Sequence, residues 1–159
     1  MVLLRPVSDN QSIKSQLHQA CVADTDRRIA TLQHILDGIN TARESETKSS
    51  AGDKYETGRE MLHREEVQAH RQLLQVMQDQ HTLAALKPQD NHDRVTQGSL
   101  VVTQHWSYYL SVGLGKVKLE DQVYFCISAQ SPIGQAFLNR GVGETVTFNG
   151  TTHTIEGIF

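Results

Sequence analysis

The chain has 159 residues with a formal net charge of -3, enough for one domain of ordinary size or two small ones. Residues 1–87 hold 11 Lys/Arg against 12 Asp/Glu, and residues 88–159 hold 4 against 6. Neither half is therefore a basic module, which argues against a general nucleic-acid or membrane-surface binder. Cys21 and Cys126 have no metal-ligand spacing and make no disulfide framework. The opening Met-Val-Leu-Leu-Arg-Pro-Val-Ser is too short an apolar run for a signal peptide, and no later run approaches a membrane span. The expectation is a protein of the reducing cytoplasm.

The first predicted element is a helix from about Ser8 to near Ser45. Ser8 and Asp9 offer a start, and Ile29, Leu32, Leu36 and Ile39 recur at helical spacing. A second helix is expected from about Asp53 to before Pro88, which cannot continue the backbone ladder. Its apolar residues form two adjacent stripes. Leu62, Ala69, Leu73, Val76 and Leu83 lie beside Val67, Leu74, Met77 and Ala84, a face broad enough to meet both the first helix and a second domain. At about 1.5 Å per residue, each arm of an antiparallel coiled-coil hairpin would be roughly 50 Å long.

Between the helices, residues 44–60 are polar. Ser49, Ser50, Ala51 and Gly52 suit a tight reversal. Asp53, Glu56 and Glu60 then fall on one face of the first helical turns. One reading is a solvated tip in which Asp53 caps the helix and Glu56 reaches back to it. The other is a presented acidic site. Lys54, Tyr55 and Arg59 complete the tip, and the cations either steer it toward phosphate or balance its carboxylates. Gly58, one turn in, is expected to loosen the backbone locally.

Residues 88–97 have the composition of a linker. After them the period changes to that of strands, at Ser99–Gln104, Trp106–Val112 and Gln122–Ile127, with Gly113, Gly115 and charged turns between. Ser131-Pro132 opens a short helix over Ile133–Leu138. Strands Glu144–Phe148 and Thr152–Ile158 follow, joined by the hairpin dipeptide Asn149-Gly150. The fold class is thus α+β: a helical hairpin over residues 1–87 and a small, mostly antiparallel sheet domain with one short helix over residues 98–159. Trp106, Tyr108 and Tyr109 are expected in the sheet core, with Trp106 and Tyr108 also candidates for an apolar docking patch. Eight histidines are present, but His63 and His70, two turns apart, lack a close third ligand.

This order of parts resembles the bacterial transcription elongation factors of the GreA/GreB family. The motif that carries the likeness is Ser131-Pro132-Ile133-Gly134-Gln135-Ala136, with Gly141-Val142-Gly143-Glu144 and Thr145-Val146-Thr147-Phe148 after it. The tip matches through Gly52-Asp53-Lys54-Tyr55-Glu56 and departs from the family at Thr57-Gly58-Arg59-Glu60. The resemblance implies an FKBP-like second domain, RNA polymerase as partner through its secondary channel, and Asp53 and Glu56 as the tip carboxylates. In that family the acidic pair helps to hold a second Mg²⁺ and a water, so that the polymerase's own centre cleaves backtracked RNA. The factor is then a catalytic helper with no independent active site, no stably bound cofactor and no DNA binding of its own. The alternatives are a channel binder that inhibits the polymerase, a prolyl isomerase or chaperone, and a structural coiled-coil adaptor. The isomerase reading needs an open aromatic pocket in residues 98–159. Phe125, Phe137 and Phe148 read as core, which leaves little to line one.

Overall fold

The computed structural model describes residues 7–48 and 52–159, with the backbone alone for residues 7, 8 and 52–55. It is α+β. Two long helices, α1 (Val7–Thr47) and α2 (Gly52–Ala85), precede a six-stranded sheet that carries one short helix. Both helices form close to where their apolar periods predict. Gly38 is absorbed inside α1 without a break, as a long packed helix allows. No helix among the described residues is long and apolar enough to cross a membrane.

Contacts divide the chain into two units. One comprises Thr25–Gln80, and the other joins residues up to Asp24 to His81–Phe159. In the first unit, α1 and α2 run antiparallel. Gln80 donates to Asp26 at 3.1 Å and Arg43 pairs with Glu66 at 2.6 Å, so partners move in opposite senses along the two helices. Leu32, Ala69 and Val76 are buried in the seam between them, with Ile29, Leu36 and Leu73 packed alongside. The second apolar stripe of α2 finds no cover here, since Leu74 and Met77 are exposed.

The other unit is built on β1 (Leu100–Thr103), β2 (Ser107–Ser111), β3 (Gly115–Leu119), β4 (Gln122–Ser128), β5 (Thr145–Phe148) and β6 (Thr151–Ile158). The helix α3 (Pro132–Phe137) lies between β4 and β5 in the chain. The sheet order is β3-β4-β2-β1-β6-β5. All neighbours pair antiparallel except β2 with β4, which run parallel with Tyr109 opposite Cys126. The parallel pair exists because β3, at the edge, carries the chain back before β4 enters beside β2. The sequence reading placed charged turns where β3 lies. Lys116 and Lys118 are exposed while Val117 and Leu119 are half-buried, a short alternating strand disguised by its opening glycine and by the Glu120-Asp121 that follows.

Two apolar clusters hold this unit. On one face, Ile13, Leu17 and Cys21 of α1 and Leu83 of α2 pack with Leu100, Tyr109, Tyr124 and Cys126. The helix ends therefore supply part of the core that a sheet domain of about sixty residues lacks by itself. On the other, Phe137 of α3 packs with Tyr108, Leu110, Val146 and Ile155. Residues 88–97 are tied down from both ends. Lys14 Nζ and Gln11 Nε2 donate to the Asp90 and Gln89 carbonyls, and Val95 is buried with its N–H on the Arg140 carbonyl.

The Ser-Pro-Ile-Gly motif is a tight corner. Ser131 Oγ accepts from the Gly134 N–H at 3.1 Å and donates to the Ser128 carbonyl at 2.6 Å, while Gln135 Nε2 donates to the Ala129 carbonyl. A Cβ on Gly134 would overlap the Ser128 carbonyl oxygen, so only glycine lets α3 lie this close to the end of β4. Asn149 and Gly150 both take positive φ, 48° and 77°, the backbone of the two-residue hairpin that the dipeptide predicts.

Candidate functional site

The helical unit presents the residues predicted for the tip. Glu56, Arg59 and Glu60 lie exposed on the opening turns of α2. Asp53, Lys54 and Tyr55 belong to the same helix, and their side chains lie outside the described residues, as do Ser49, Ser50 and Ala51. The proposed Asp53 cap is therefore not described. Among the described residues, a polar contact joins the two helices near this end. Arg43 of α1 grips both carboxylate oxygens of Glu66 of α2, at 3.3 and 2.6 Å, the bidentate geometry that makes arginine pairs specific. The hydrogen bonds from Arg43 keep the Glu66 carboxyl below its ordinary range, and His63 stands 3.8 Å from it.

Gly58 has a different role from the one its sequence position suggests. The last turns of α1 bring Glu46 against it, so that a Cβ on Gly58 would sit 2.6 Å from Glu46 Oε1. Among the described residues, Glu46 Oε2 is buried with no hydrogen-bond partner. The glycine makes room for an acidic side chain of the opposite helix. Sequence reasoning missed Glu46, because its approach to Gly58 depends on the interhelical register, which no single-helix pattern reveals. Among the described residues, no group of three or more His, Cys, Asp or Glu is placed to hold a metal ion.

In the sheet unit, Trp106 and Tyr108 meet, though not as a flat patch. The turn before β2 is closed by Thr103, whose N–H and Oγ1 both donate to the Trp106 carbonyl while Oγ1 accepts from the Trp106 N–H. This leaves Trp106 at the sheet surface, 45% exposed, rather than in the core expected for it. Its ring stands edge-on to Phe125 of β4, with centroids 5.5 Å apart, and Phe125 stacks on Tyr108 at 5.8 Å. Such pairs add about 1 kcal/mol beyond their buried area.

These rings line a cavity of about 360 Å³, which Ile127, Ile133 of α3, Phe148, Asn149, Thr151 and His153 complete. The sequence reading left too few aromatics for such a pocket. Phe137 is indeed core, but Phe125 and Phe148 are only half-buried and turn a side to the cavity. His153 is 4% exposed, and among the described residues its Nδ1 has no hydrogen-bond partner. Burial, with His105 nearby, lowers its pKa and favours the neutral imidazole.

No protein-family model matches the chain, and no curated protein matches it.

Proposed function

We propose that the chain is a two-domain transcription elongation factor, with an FKBP-like second domain, that acts in the cytoplasm on RNA polymerase. Its helical tip enters the secondary channel, and Asp53 and Glu56 complete a Mg²⁺ site whose other ligands belong to the polymerase and the RNA phosphate. The observation that carries this reading is the exposed Glu56 on the opening turns of α2, at the end of a helix pair whose buried apolar residues, among those described, stop at Ile39 and Ala69. Among the described residues beyond those positions, Arg43 and Glu66 join the two helices.

The chemistry follows from the ion. Mg²⁺ is a hard octahedral cation that keeps several waters, so two carboxylates make an incomplete site alone. Beside a phosphodiester and a polymerase-held ion, they place a metal-bound water for attack and offset charge on the displaced oxygen. An α2 of 34 residues extends about 50 Å, which suits delivery of a carboxylate into a deep channel. RNA is contacted only within that complex.

The test is Mg²⁺-dependent RNA cleavage in halted complexes of the cognate polymerase. The wild-type chain should accelerate cleavage, and Asp53→Ala with Glu56→Ala should abolish the gain while still competing for the channel. Slower cleavage with the wild-type chain would replace stimulation with the inhibitory reading.

A further inference from the structure

The face of the sheet that α1 covers buries a pair of groups with no role in the tip chemistry. Cys21 of α1 and Cys126 of β4 are free thiols without solvent exposure, in one cluster with Leu17, Tyr109 and Tyr124. They meet there. The Cys126 S–H donates to the Cys21 sulfur, and Ser111 Oγ stands 3.7 Å from that same sulfur. The hydrogen bond from Cys126, helped by Ser111, holds the Cys21 thiol below its ordinary pKa against burial and the nearby Asp24. The same bond, with burial, pushes Cys126 up. One sulfur is thus prepared as a nucleophile, with the other beside it as proton donor. The pair also lies close to an edge of the sheet. Cys126 is opposite Gly115 of the edge strand β3, and Gly115 is exposed, with open space where a Cβ would stand.

We propose that Cys21 and Cys126 form a reversible disulfide that staples α1 to β4, closed by hydrogen peroxide through attack of the Cys21 sulfur and opened by a dithiol reductant. Access runs through β3, a strand of five residues with β4 as its one neighbour. A short edge strand opens at low cost, and peroxide is little larger than water. The Cys21 sulfur attacks one peroxide oxygen, the O–O bond breaks, and the departing hydroxide takes the thiol proton to leave as water. Cys21 is then a sulfenic acid. The Cys126 sulfur attacks it, the S–S bond forms, the S–OH bond breaks, and a second water leaves with the Cys126 proton. Each sulfur gives up one electron, and one peroxide is reduced to two waters. The sulfurs close to about 2.05 Å, a small move for thiols that already share a hydrogen bond. Burial protects the intermediate, because Cys126 consumes it before a second peroxide or a foreign thiol arrives. Disulfides of reducing compartments are characteristically transient and redox-sensing. This one would join positions 21 and 126 of the chain, a long loop, and long loops gain most from closure.

The test treats the full chain with hydrogen peroxide well below its melting temperature, at a dose that begins to oxidise the exposed Met61 and Met77. Peptide mass mapping should find residues 21 and 126 in one linked pair, two hydrogens lighter than the free thiols, and dithiothreitol should restore both. The oxidised chain should melt at least about 5 °C above the reduced one. Cys126→Ala removes the resolving thiol, so dimedone should trap Cys21 as its sulfenic acid. Cys21→Ala should show at least about tenfold less labelling, at Cys126. Mapping and melting are read on the wild type and stand whether or not either variant folds. The proposal is overturned if both thiols remain free while the methionines oxidise, if they oxidise separately, or if the link forms between chains. It is also overturned by an unchanged melting temperature, or by dimedone labelling as strong in Cys21→Ala as in Cys126→Ala. None of these results bears on the cleavage reading, since no tip residue is involved.

Discussion

The helical unit and the sheet unit each contain a glycine pressed against an oxygen, and the two cases differ in what can move. Gly134 faces the backbone carbonyl of Ser128 at the end of β4, fixed by the sheet and by the Ser131 hydrogen bonds. Gly58 faces the carboxylate of Glu46, the far end of a flexible side chain. The same contrast runs through the packing. Around α3 and the sheet, two clusters contain residues with no solvent exposure, such as Leu17, Tyr109 and Phe137. The helix pair has one short seam in which Val76 alone is wholly buried. Stability is concentrated where the sheet, α3 and the helix ends meet, and the helix pair is held by fewer wholly buried residues.

The contrast should be plainest in core truncations. Leu17→Ala should cost about 4 kcal/mol and Leu32→Ala about 2, because the second site is partly open and collapses more readily. Denaturant unfolding of both variants measures this, and equal costs would remove the distinction between the units. The glycines come next. Gly134→Ala should destabilise by about 3 kcal/mol, since backbone must shift to admit the Cβ. Gly58→Ala should stay within about 1 kcal/mol of wild type, as the gain in helix propensity offsets a swing of Glu46. A large loss at Gly58 would mean that Glu46 is fixed after all.

A further effect concerns pH. Lys14 is buried in the sheet unit with Nζ donating to the Asp90 carbonyl, and burial lowers its pKa from 10.5 to about 8, against the pull of the Asp90 carboxylate. Between those values the unfolded chain holds a proton that the folded chain has released. Stability should therefore rise as pH increases from about 8 toward 10.5. Lys14→Met should flatten that rise in unfolding measured across the window. A stability that falls over this range in the wild type would contradict the assignment.

Much of the fold was legible because its signals are local. Helical periods placed α1 and α2, Asn149-Gly150 placed the β5–β6 hairpin, and Ser131-Pro132 placed the start of α3. The strand β3 was hidden because five residues that begin at a glycine, include two lysines and run into Glu120-Asp121 resemble a charged turn. Parallel pairing of β2 with β4 was hidden for the same reason. At the tip, the sequence pointed to Glu56 directly, and the structure adds Glu46 across the helix pair. The aromatic cavity could not be read in advance. Its walls come from β2, β4, α3, β5 and β6, and whether Phe125 and Phe148 fill a core or line a space depends on how those elements converge. Trp106 escaped for a related reason, since the Thr103 turn that lifts it out of the core is a matter of backbone geometry.

The central claim is that the acidic tip acts as a metal-completing group and not as a solvated helix start. Two neutralising substitutions on α2 separate these directly: Glu56→Gln at the exposed tip and Glu66→Gln at the Arg43 pair, each assayed for Mg²⁺-dependent RNA cleavage in halted polymerase complexes. The account predicts that Glu56→Gln loses at least about tenfold in stimulated cleavage, equivalent to about 1.4 kcal/mol of transition-state stabilisation. Glu66→Gln should retain most of the stimulation. Equal cleavage by wild type and Glu56→Gln would contradict it.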